Sequence, residues 1–481
     1  MLHVANVLGR LQAVFSLTYL APILCSLLYR DGMTWHFIDS MAISAAGGLL
    51  LYIATRRHIR ELKPRDGFLL VTLSWVLMSA IAAVPLMLSV DMSFTDAFFE
   101  TMSGLTTTGA TVMTGLDHAP PSVNLWRHLL NWIGGMGIIV FAVAILPLLG
   151  VGGSQLYKAE TPGPMKDGKL TARIADTAKA LYLVYFGITV LCVLALHLAG
   201  MSWFDAVCHA FAAMGLGGLS TRDASVGAFD SPWIEGVLTF FMLVAAMNFA
   251  THFLAFRGRS LKVYAQDYEV RGVLVACIGS SVLLAGYLLY AGTYDSYWTA
   301  LRHVSFNLVS IATDCGFAST DYAQWPLFVP LWMLFLSSVT ASSGSTGGGI
   351  KMVRTLILFS QARRDLVKLV HPYAVMPLKV GRTCVPDPVA QSVLGFIFLY
   401  FMSIVLLTFV LLLSGLDFLS SFTAIIAMIN NAGPGLGEVG PAGNYQGLND
   451  FQTWVCSFTM LLGRLEVMSV LILFTPGFWR K

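Results

Sequence analysis

The chain has 481 residues, of which 56% are hydrophobic and only 11% are charged, and its formal net charge is +3. Soluble globular proteins carry about a quarter of charged residues, so this composition excludes an ordinary soluble enzyme or binding domain and indicates a polytopic membrane protein. The seven cysteines are scattered without a CxxC pair, which argues against a zinc site or a disulfide framework.

A membrane-spanning helix needs about 20 mostly apolar residues, and ten stretches of the sequence are candidates. The first is predicted to be an anchor and not a cleavable signal peptide, because no small-residue cleavage pattern follows it. The ten stretches are, in chain order, Leu11–Tyr29, Phe37–Ala54, Phe68–Val90, Leu129–Gly150, Ala180–Gly200, Ile234–Ala255, Gly272–Ala291, a broken one from Leu327 to Ser360, Ser392–Leu413 and Phe451–Phe474.

Most of the 29 lysine and arginine residues lie in loops on one side of the predicted membrane. Because cytoplasmic loops carry an excess of these residues, both termini and the basic loops are predicted to be cytoplasmic. The opposite loops are acidic, which would attract cations to that side. Ordinary solvated loop charge accounts for each of these acidic residues equally well.

Four short apolar stretches end in a glycine turn and recur at intervals of about 100 residues, which predicts a fourfold internal repeat. Non-helical backbone at membrane depth is tolerated only where protein buries it or where it lines a watery path. Four such turns therefore predict one pore, with each turn supplying a quarter of the lining. The turns are Thr106–Ala110, Leu216–Ser220, Asp314–Phe317 and Asn430–Pro434.

Each turn follows a segment that is predicted to be a short helix. In three repeats an aromatic residue lies fifteen positions before the glycine, whereas in the third repeat Trp298 lies about one turn earlier. Segment Phe94–Leu105 would form a helix of roughly 18 Å, which reaches the middle of a membrane without crossing it. The carboxyl end of such a helix favours a cation. Four short core helices with loop glycines are the alternative interpretation.

The four turns are predicted to form a potassium filter, in which rings of backbone carbonyl groups replace the water shell of the ion. Aiming consecutive carbonyl groups inward requires backbone conformations that glycine adopts freely. The residues before each glycine need little side-chain identity, because they contribute only carbonyl groups. The predicted filter residues are Thr107, Thr108, Gly109, Leu216, Gly217, Gly218, Asp314, Cys315, Gly316, Asn431, Ala432 and Gly433.

The four repeats, together with the Asn-Asn-Ala-Gly-Pro-Gly turn at 430–435 and the Gly-Ser-Thr-Gly-Gly-Gly-Ile-Lys stretch at 344–351, resemble the Trk/Ktr/HKT superfamily of potassium transporters. The extra leading pair of spans is similar to its TrkH branch. The resemblance covers essentially the whole chain. It implies an all-α polytopic membrane protein of about ten transmembrane helices, in which four pseudo-repeated helix–pore-helix–filter–helix units surround one central pore.

The same resemblance implies potassium uptake across the bacterial inner membrane, a homodimer, and a cytosolic nucleotide-binding regulatory subunit that is TrkA-like. It implies no nucleic-acid partner and no covalently bound cofactor, with the potassium ion as the transported ligand. No nucleophile–base pair is apparent, so we expect no enzymatic activity. The expected divisions are a leading helix pair at 1–66 and pore units at 67–157, 158–262, 263–383 and 384–481, of which the third carries a gate loop.

A glycine-rich break interrupts the eighth apolar stretch and is the candidate gate. An ordinary helix does not tolerate this many glycines, each of which costs about 1 kcal/mol relative to alanine. A nucleotide-binding P-loop is the rival interpretation, but its pattern fails because Ile350 precedes the lysine. In the family such a loop lies below the filter. The predicted gate residues are Ser342, Ser343, Gly344, Ser345, Thr346, Gly347, Gly348, Gly349, Lys351 and Arg464.

Arg464 lies about thirteen residues into the last apolar stretch. An arginine near the middle of a membrane is costly and suggests a function. Glu466 would face away from it on a helix, so carbonyl groups of the glycine-rich loop are the expected partners. An arginine that is buried between helices for packing is the alternative.

Two further alternatives stay open from the sequence. The Asp314 carboxylate either faces the ion path or points behind the filter, where it must find hydrogen-bond donors. The function is either uptake through a gated pore or potassium symport with protons or sodium. A membrane sensor without ion flux is a third function, for which no site is apparent. Few predicted spans contain the carboxylates that a proton relay would need.

Overall fold

The computed structural model describes residues 1–58, 63–140, 174–381 and 383–480. Regular structure in these residues is helical apart from one two-stranded antiparallel ribbon, in which β1 (Lys379–Val380) pairs with β2 (Thr383–Cys384). The predicted class, an all-α polytopic membrane protein, is confirmed. The predicted boundary between the first two pore units, at 157/158, lies outside the described residues.

Two spans lead the chain. The first runs over Leu2–Tyr29 and comprises α1 (Leu2–Phe15), a 3-10 turn and α2 (Leu20–Tyr29), and the second is α3 (Thr34–Thr55). The first span begins earlier than the predicted Leu11. Two of its buried polar residues bond to α3: Gln12 donates to the carbonyl oxygen of Ser44 over 3.1 Å, and Asn6 donates to Oγ1 of Thr55 over 3.3 Å. These polar side chains therefore have hydrogen-bond partners within the protein.

Four units follow, each with an apolar helix, a short helix, a non-helical glycine segment and one or more further helices. The first unit contains α4 (Pro64–Ala82), α5 (Val84–Ser89), α6 (Phe94–Leu105) and α7 (Pro121–Val140). The second contains α8 (Ile174–Leu198), α9 (Trp203–Gly215), α10 (Pro232–Ala245) and α11 (Phe249–Gly258). The third contains α12 (Lys262–Gln266), α13 (Tyr268–Tyr290), α14 (Tyr297–Ala312), α15 (Phe328–Val339) and α16 (Met352–Val370). The fourth contains α17 (Asp387–Leu413), α18 (Phe418–Asn430), α19 (Asp450–Arg464), α20 (Met468–Leu471) and α21 (Pro476–Trp479).

Within the described ranges, six helical segments are long and apolar enough to cross a membrane, or eight if each sharply bent pair is one span. The most apolar is α17, with a mean hydropathy of 2.8 over a window of which 33% is buried. Most of its apolar side chains therefore face outward, as they do in lipid. The predicted stretch Leu129–Gly150 is described only as far as Val140.

Two predicted continuous spans are wrong. Ile234–Ala255 is broken between α10 and α11 with a bend of 96°, and Phe451–Phe474 is broken between α19 and α20 with a bend of 109°. The first break exists because its backbone bonds to another non-helical segment: the Phe249 N–H donates to the carbonyl oxygen of Gly344 over 3.1 Å. The predicted break within Leu327–Ser360 is present between α15 and α16.

Three of the four short helices begin at a residue whose side chain caps the first turn, whereas Ser296 before α14 makes no such hydrogen bond. Ser93 accepts from the Asp96 N–H over 3.1 Å, and Asp417 accepts from the Ser420 N–H over 3.0 Å. Such N-caps satisfy otherwise unpaired donors. Hydrogen bonding from Ser420 holds the pKa of the Asp417 carboxyl below its usual range. Helix α14 has 16 residues against 12 in α6, so the aromatic Trp298 lies one turn earlier.

A buried ion pair joins α6 to α7. Nε of Arg127 lies 2.7 Å from Oε1 of Glu100, and the two side chains are 1% and 0% exposed. Removing one partner of such a pair leaves a buried charge without compensation.

We expect Arg127→Met to lower the free energy of unfolding by about 3–5 kcal/mol because Glu100 would lose its cation. Arg222→Met is the matched control, because Arg222 is 35% exposed and its pairs with Asp117 and Asp205 are 3.4 Å and 3.2 Å long; it should cost less than about 1 kcal/mol. Thermal unfolding of the two purified variants in detergent measures the difference. Equal melting temperatures would contradict the structural role of the Glu100–Arg127 pair.

Candidate functional site

The four short helices end in the same backbone conformation, although their sequences differ. Two positions before each aligned glycine the backbone is left-handed, and the next N–H donates to a carbonyl group five residues back over 2.8–2.9 Å. This is the Schellman arrangement, which satisfies the last carbonyl groups of a helix. Threonine and leucine seldom adopt that conformation, so the fold imposes it. The left-handed residues are Thr107, Leu216, Asp314 and Asn431, with φ of 53°, 54°, 65° and 57°.

The segments that follow, here called the glycine strands (107–109, 216–218, 314–316 and 431–433), form a closed ring. A Cβ atom added to the last glycine of each strand would lie under 3.0 Å from a carbonyl oxygen of the next strand. The contacts run from Gly109 to Gly217, from Gly218 to Cys315, from Gly316 to Ala432 and from Gly433 to Thr108.

Glycine is required at these four places for two independent reasons. The φ angles of Gly109, Gly218, Gly316 and Gly433 are 81°, 56°, 96° and 83°, which residues with a Cβ rarely adopt. Any side chain would also collide with the neighbouring strand. All twelve predicted filter residues lie in the ring. The carbonyl oxygens next to the glycines belong to Thr108, Gly217, Cys315 and Ala432.

A cavity opens on one face of the ring, here called the cavity face. Its lining includes Gly109, Gly218, Gly316 and Pro434, one from each of the four predicted glycine turns. Arg222 also lines it and pairs with Asp117 over 3.4 Å. Some of the acidic loop residues are therefore engaged in ion pairs and do not act as free charges at the mouth.

Asn431 ties the fourth glycine strand to the first. Its Nδ2 donates to Oγ1 of Thr108 and to the carbonyl oxygen of Met460, each over 3.0 Å. The hydroxyl of Tyr445 donates to the carbonyl oxygen of Gly433 over 2.8 Å. The sequence pattern did not reveal these three hydrogen bonds, because the partners lie at least 12 residues apart in the chain.

The opposite face of the ring, here called the loop face, is covered by the glycine-rich segment between α15 and α16. This segment, Ser342–Gly349, contacts residues of all four units. Oγ1 of Thr346 donates to the carbonyl oxygen of Met214 over 3.1 Å. Added Cβ atoms at Gly347 and Gly348 would approach the carbonyl oxygens of Thr313 and Asn430, and Gly135 of α7 faces the Thr346 methyl group. The segment therefore crosses beneath the ends of the short helices.

Three buried charged side chains hold this loop by its backbone. The Ser343 N–H donates to Oε2 of Glu269 over 2.8 Å, and the Gly348 N–H donates to Oδ2 of Asp314 over 3.0 Å. Backbone groups of a non-helical segment at membrane depth need such partners, since no water replaces them. Glu269 was not singled out from the sequence, although a carboxylate next to an apolar stretch was a usable signal.

Arg464 supplies the third contact. Its Nη1 donates to the carbonyl oxygen of Thr346 over 2.8 Å, and its Nη2 donates to that of Gly134 over 2.9 Å. The expectation of a continuous helix around Arg464 is wrong, because Arg464 is the last residue of α19. The chain breaks there and frees the guanidinium group to reach across to the loop and to α7.

Glu466 lies in the break after Arg464, with a φ of 57°. It accepts from Nζ of Lys351 over 3.5 Å and from Nη2 of Arg354 over 2.8 Å. The predicted gate residue Lys351 is therefore part of an ion-pair cluster at the start of α16. This cluster connects the end of the loop to the break in the last span.

The Asp314 carboxylate lies against the loop and is 0% exposed. Of the two orientations that the sequence left open, the structure has the one in which a loop N–H donates to the carboxylate.

Comparisons with known proteins identify the family of this chain. The family model described as "TrkH: Cation transport protein" matches residues 34–481. The chain belongs to the TrkH family. The family prediction is confirmed.

Curated relatives of this TrkH-family chain are named Trk system potassium uptake proteins. TrkH of Vibrio parahaemolyticus is 46% identical over 99% of both chains, and TrkH of Salmonella typhimurium is 45% identical over 99% of both. TrkG of Escherichia coli is 39% identical over 99% of this chain and 98% of the relative. The crystal structure titled as the potassium transporter TrkH from Vibrio parahaemolyticus is similar with a TM-score of 0.92, at 43% identity, and the match covers 100% of this chain and 99% of the other.

We expect Gly348→Ala to destabilise the packing of the glycine-rich loop, because the new Cβ would collide with the carbonyl oxygen of Asn430. Forced repacking of this kind costs about 1–3 kcal/mol. Gly187→Ala in α8 is the matched control, since nothing lies within 4 Å of its added Cβ. Thermal unfolding in detergent should show a lower melting temperature for Gly348→Ala alone. A melting temperature equal to that of the control would contradict the close contact.

Proposed function

We propose that this chain is the membrane subunit of a Trk-type potassium uptake system in the bacterial inner membrane. The observation that carries the proposal is the closed ring of four glycine strands with a cavity on one face. The names of the relatives support potassium as the ion. The proposed activity makes and breaks no covalent bond, so it is transport and not enzymatic catalysis.

In this proposal the ring is the selectivity filter. Carbonyl oxygens of Thr108, Gly217, Cys315 and Ala432 take the place of the water molecules around a potassium ion. The four short helices direct their carboxyl ends, which carry partial negative charge, toward the same point. The dehydrated ion then gains attraction from both the carbonyl groups and the helix dipoles.

The glycine-rich loop is the proposed gate. It crosses the loop face of the ring, and small residues allow it to fit there and to move. Arg464 holds the loop by the Thr346 carbonyl oxygen and adds a positive charge beneath the filter. Both effects oppose the passage of a cation until the loop is displaced.

We further propose that both termini and the basic loops face the cytosol, as the excess of lysine and arginine suggests. A homodimer and a TrkA-like nucleotide-binding subunit are the proposed assembly. Helix α16 and its arginine pair, Arg363 and Arg364, are on the side that this subunit would reach. Displacement of α16 would act on the gate through the adjoining loop.

Growth at low potassium tests the function. Bacterial cells that lack their own potassium uptake systems, but retain the Trk regulatory subunit, should grow at low external potassium when they express this chain. Rubidium-86 uptake into the same cells should rise in parallel. Normal expression in the membrane without rescue and without rubidium uptake would contradict the proposal and would favour a sensor.

We expect Gly109→Ser to lower the potassium-to-sodium permeability ratio by about tenfold, which corresponds to ~1.4 kcal/mol of discrimination. The added side chain would displace the carbonyl group of Gly217 from the ring. Gly292→Ser is the matched control, because its φ is 70° and nothing lies within 4 Å of its added Cβ. Reversal potentials, measured with purified protein in bilayers, give the ratio. An unchanged ratio in Gly109→Ser would remove the filter assignment.

A further inference from the structure

One hydrogen bond joins the filter and the gate directly. Asp314 belongs to the third glycine strand, and its Oδ2 accepts from the N–H of Gly348 in the loop over 3.0 Å. Asp314 and its neighbour Cys315 are both 0% exposed. The backbone of Asp314 therefore belongs to the ring, while its side chain holds the loop.

This contact is peculiar to the third repeat. The equivalent residues in the other repeats are Thr107, Leu216 and Asn431, and they share the left-handed backbone of Asp314. Asn431 donates to Thr108 and Met460 instead of holding the loop. The side chain of Leu216 has no polar group. The position therefore accepts different side chains, and the carboxylate of Asp314 is not needed for the local backbone.

The carboxylate depends on the loop for its hydrogen bonding. Oδ1 of Asp314 has no hydrogen-bond partner within the described part of the chain. Arg464 donates to the carbonyl oxygens of Thr346 and Gly134 and not to Asp314. Arg464 and Lys351 act on the Asp314 carboxylate electrostatically, but its hydrogen bond comes from Gly348. Movement of the loop would remove this donor and would leave the buried carboxylate next to the ring without a hydrogen bond, which is costly unless a further cation comes close.

We propose, resting on the proposed function, that Asp314 is a latch that couples the position of the loop to the occupancy of the filter. With the loop in place, the Asp314 carboxylate is held by Gly348 and keeps the loop shut. With the loop displaced, the freed carboxylate favours a potassium ion at the adjacent end of the ring. Loop displacement and ion binding therefore promote each other, and such coupling is reciprocal.

The test compares two substitutions of Asp314 in the full chain, reconstituted into liposomes without a partner. Asp314→Asn keeps an oxygen that accepts from Gly348 but loses the charge. Asp314→Leu copies the residue at the equivalent position of the second repeat and removes the acceptor. Asp295→Asn is the control, because Asp295 is an exposed acidic residue of the same unit. Rubidium-86 uptake is measured over a range of external potassium concentrations.

Loss of a hydrogen bond to a charged acceptor shifts an equilibrium by about tenfold or more. We therefore expect Asp314→Leu to raise partner-free uptake about tenfold, while Asp314→Asn stays within about threefold of the wild type. Both variants should need more potassium for half-maximal uptake than the Asp295→Asn control does. Low partner-free uptake in Asp314→Asn would show that the hydrogen-bond acceptor keeps the loop closed, because this variant has lost the charge.

The latch proposal would be overturned if Asp314→Leu and the wild type took up rubidium equally. Size-exclusion chromatography must show that both proteins are folded. A loss of potassium affinity in both variants with no rise in uptake would also overturn it and would leave Asp314 as an ion-attracting charge. If Asp314→Leu does not fold, Asp314→Ser replaces it, since serine is too short to reach Gly348. Failure of the wild type to support growth at low potassium would instead refute the proposed function.

Discussion

The architecture depends on one constraint, which is that backbone polar groups away from water must find partners within the protein. In the described part of the chain, the four glycine strands and the glycine-rich loop are non-helical segments that lie among helix ends. Schellman bonds close the helix ends before the strands, and buried charged side chains hold the loop. In the proposed function, the carbonyl groups of the ring are those that an ion would contact.

The same constraint explains why the spans next to the loop are broken. The end of α10 gives the loop backbone partners, since the Ser342 N–H donates to the carbonyl oxygen of Ala246 over 3.0 Å. The end of α19 frees Arg464 to reach the Thr346 carbonyl oxygen. A straight helix at either place would occupy its own carbonyl and N–H groups and leave the loop without partners. The breaks between α10 and α11, between α15 and α16 and between α19 and α20 therefore form one structural feature.

The sequence predicted the parts of this arrangement that are local. Segment Phe94–Leu105 forms a helix with the predicted bounds, because the Ser93 cap and the turn after it are encoded by adjacent residues. Continuous apolarity concealed the breaks after Ala245 and Arg464, since hydropathy does not report a change of direction. The side-chain contacts that hold the loop could not be predicted for another reason. Glu269 and Asp314 bond to residues that are far from them in the chain. Such pairs depend on the assembled fold.

The central claim is that the four glycine strands form a single ion-binding ring. Crystals of the purified protein grown in rubidium chloride test it most directly, because anomalous scattering locates rubidium ions without ambiguity. We expect an anomalous peak on the axis of the ring, coordinated by the carbonyl oxygens of Thr108, Gly217, Cys315 and Ala432. Ordered strands without a peak, or carbonyl groups turned away from the axis, would contradict it.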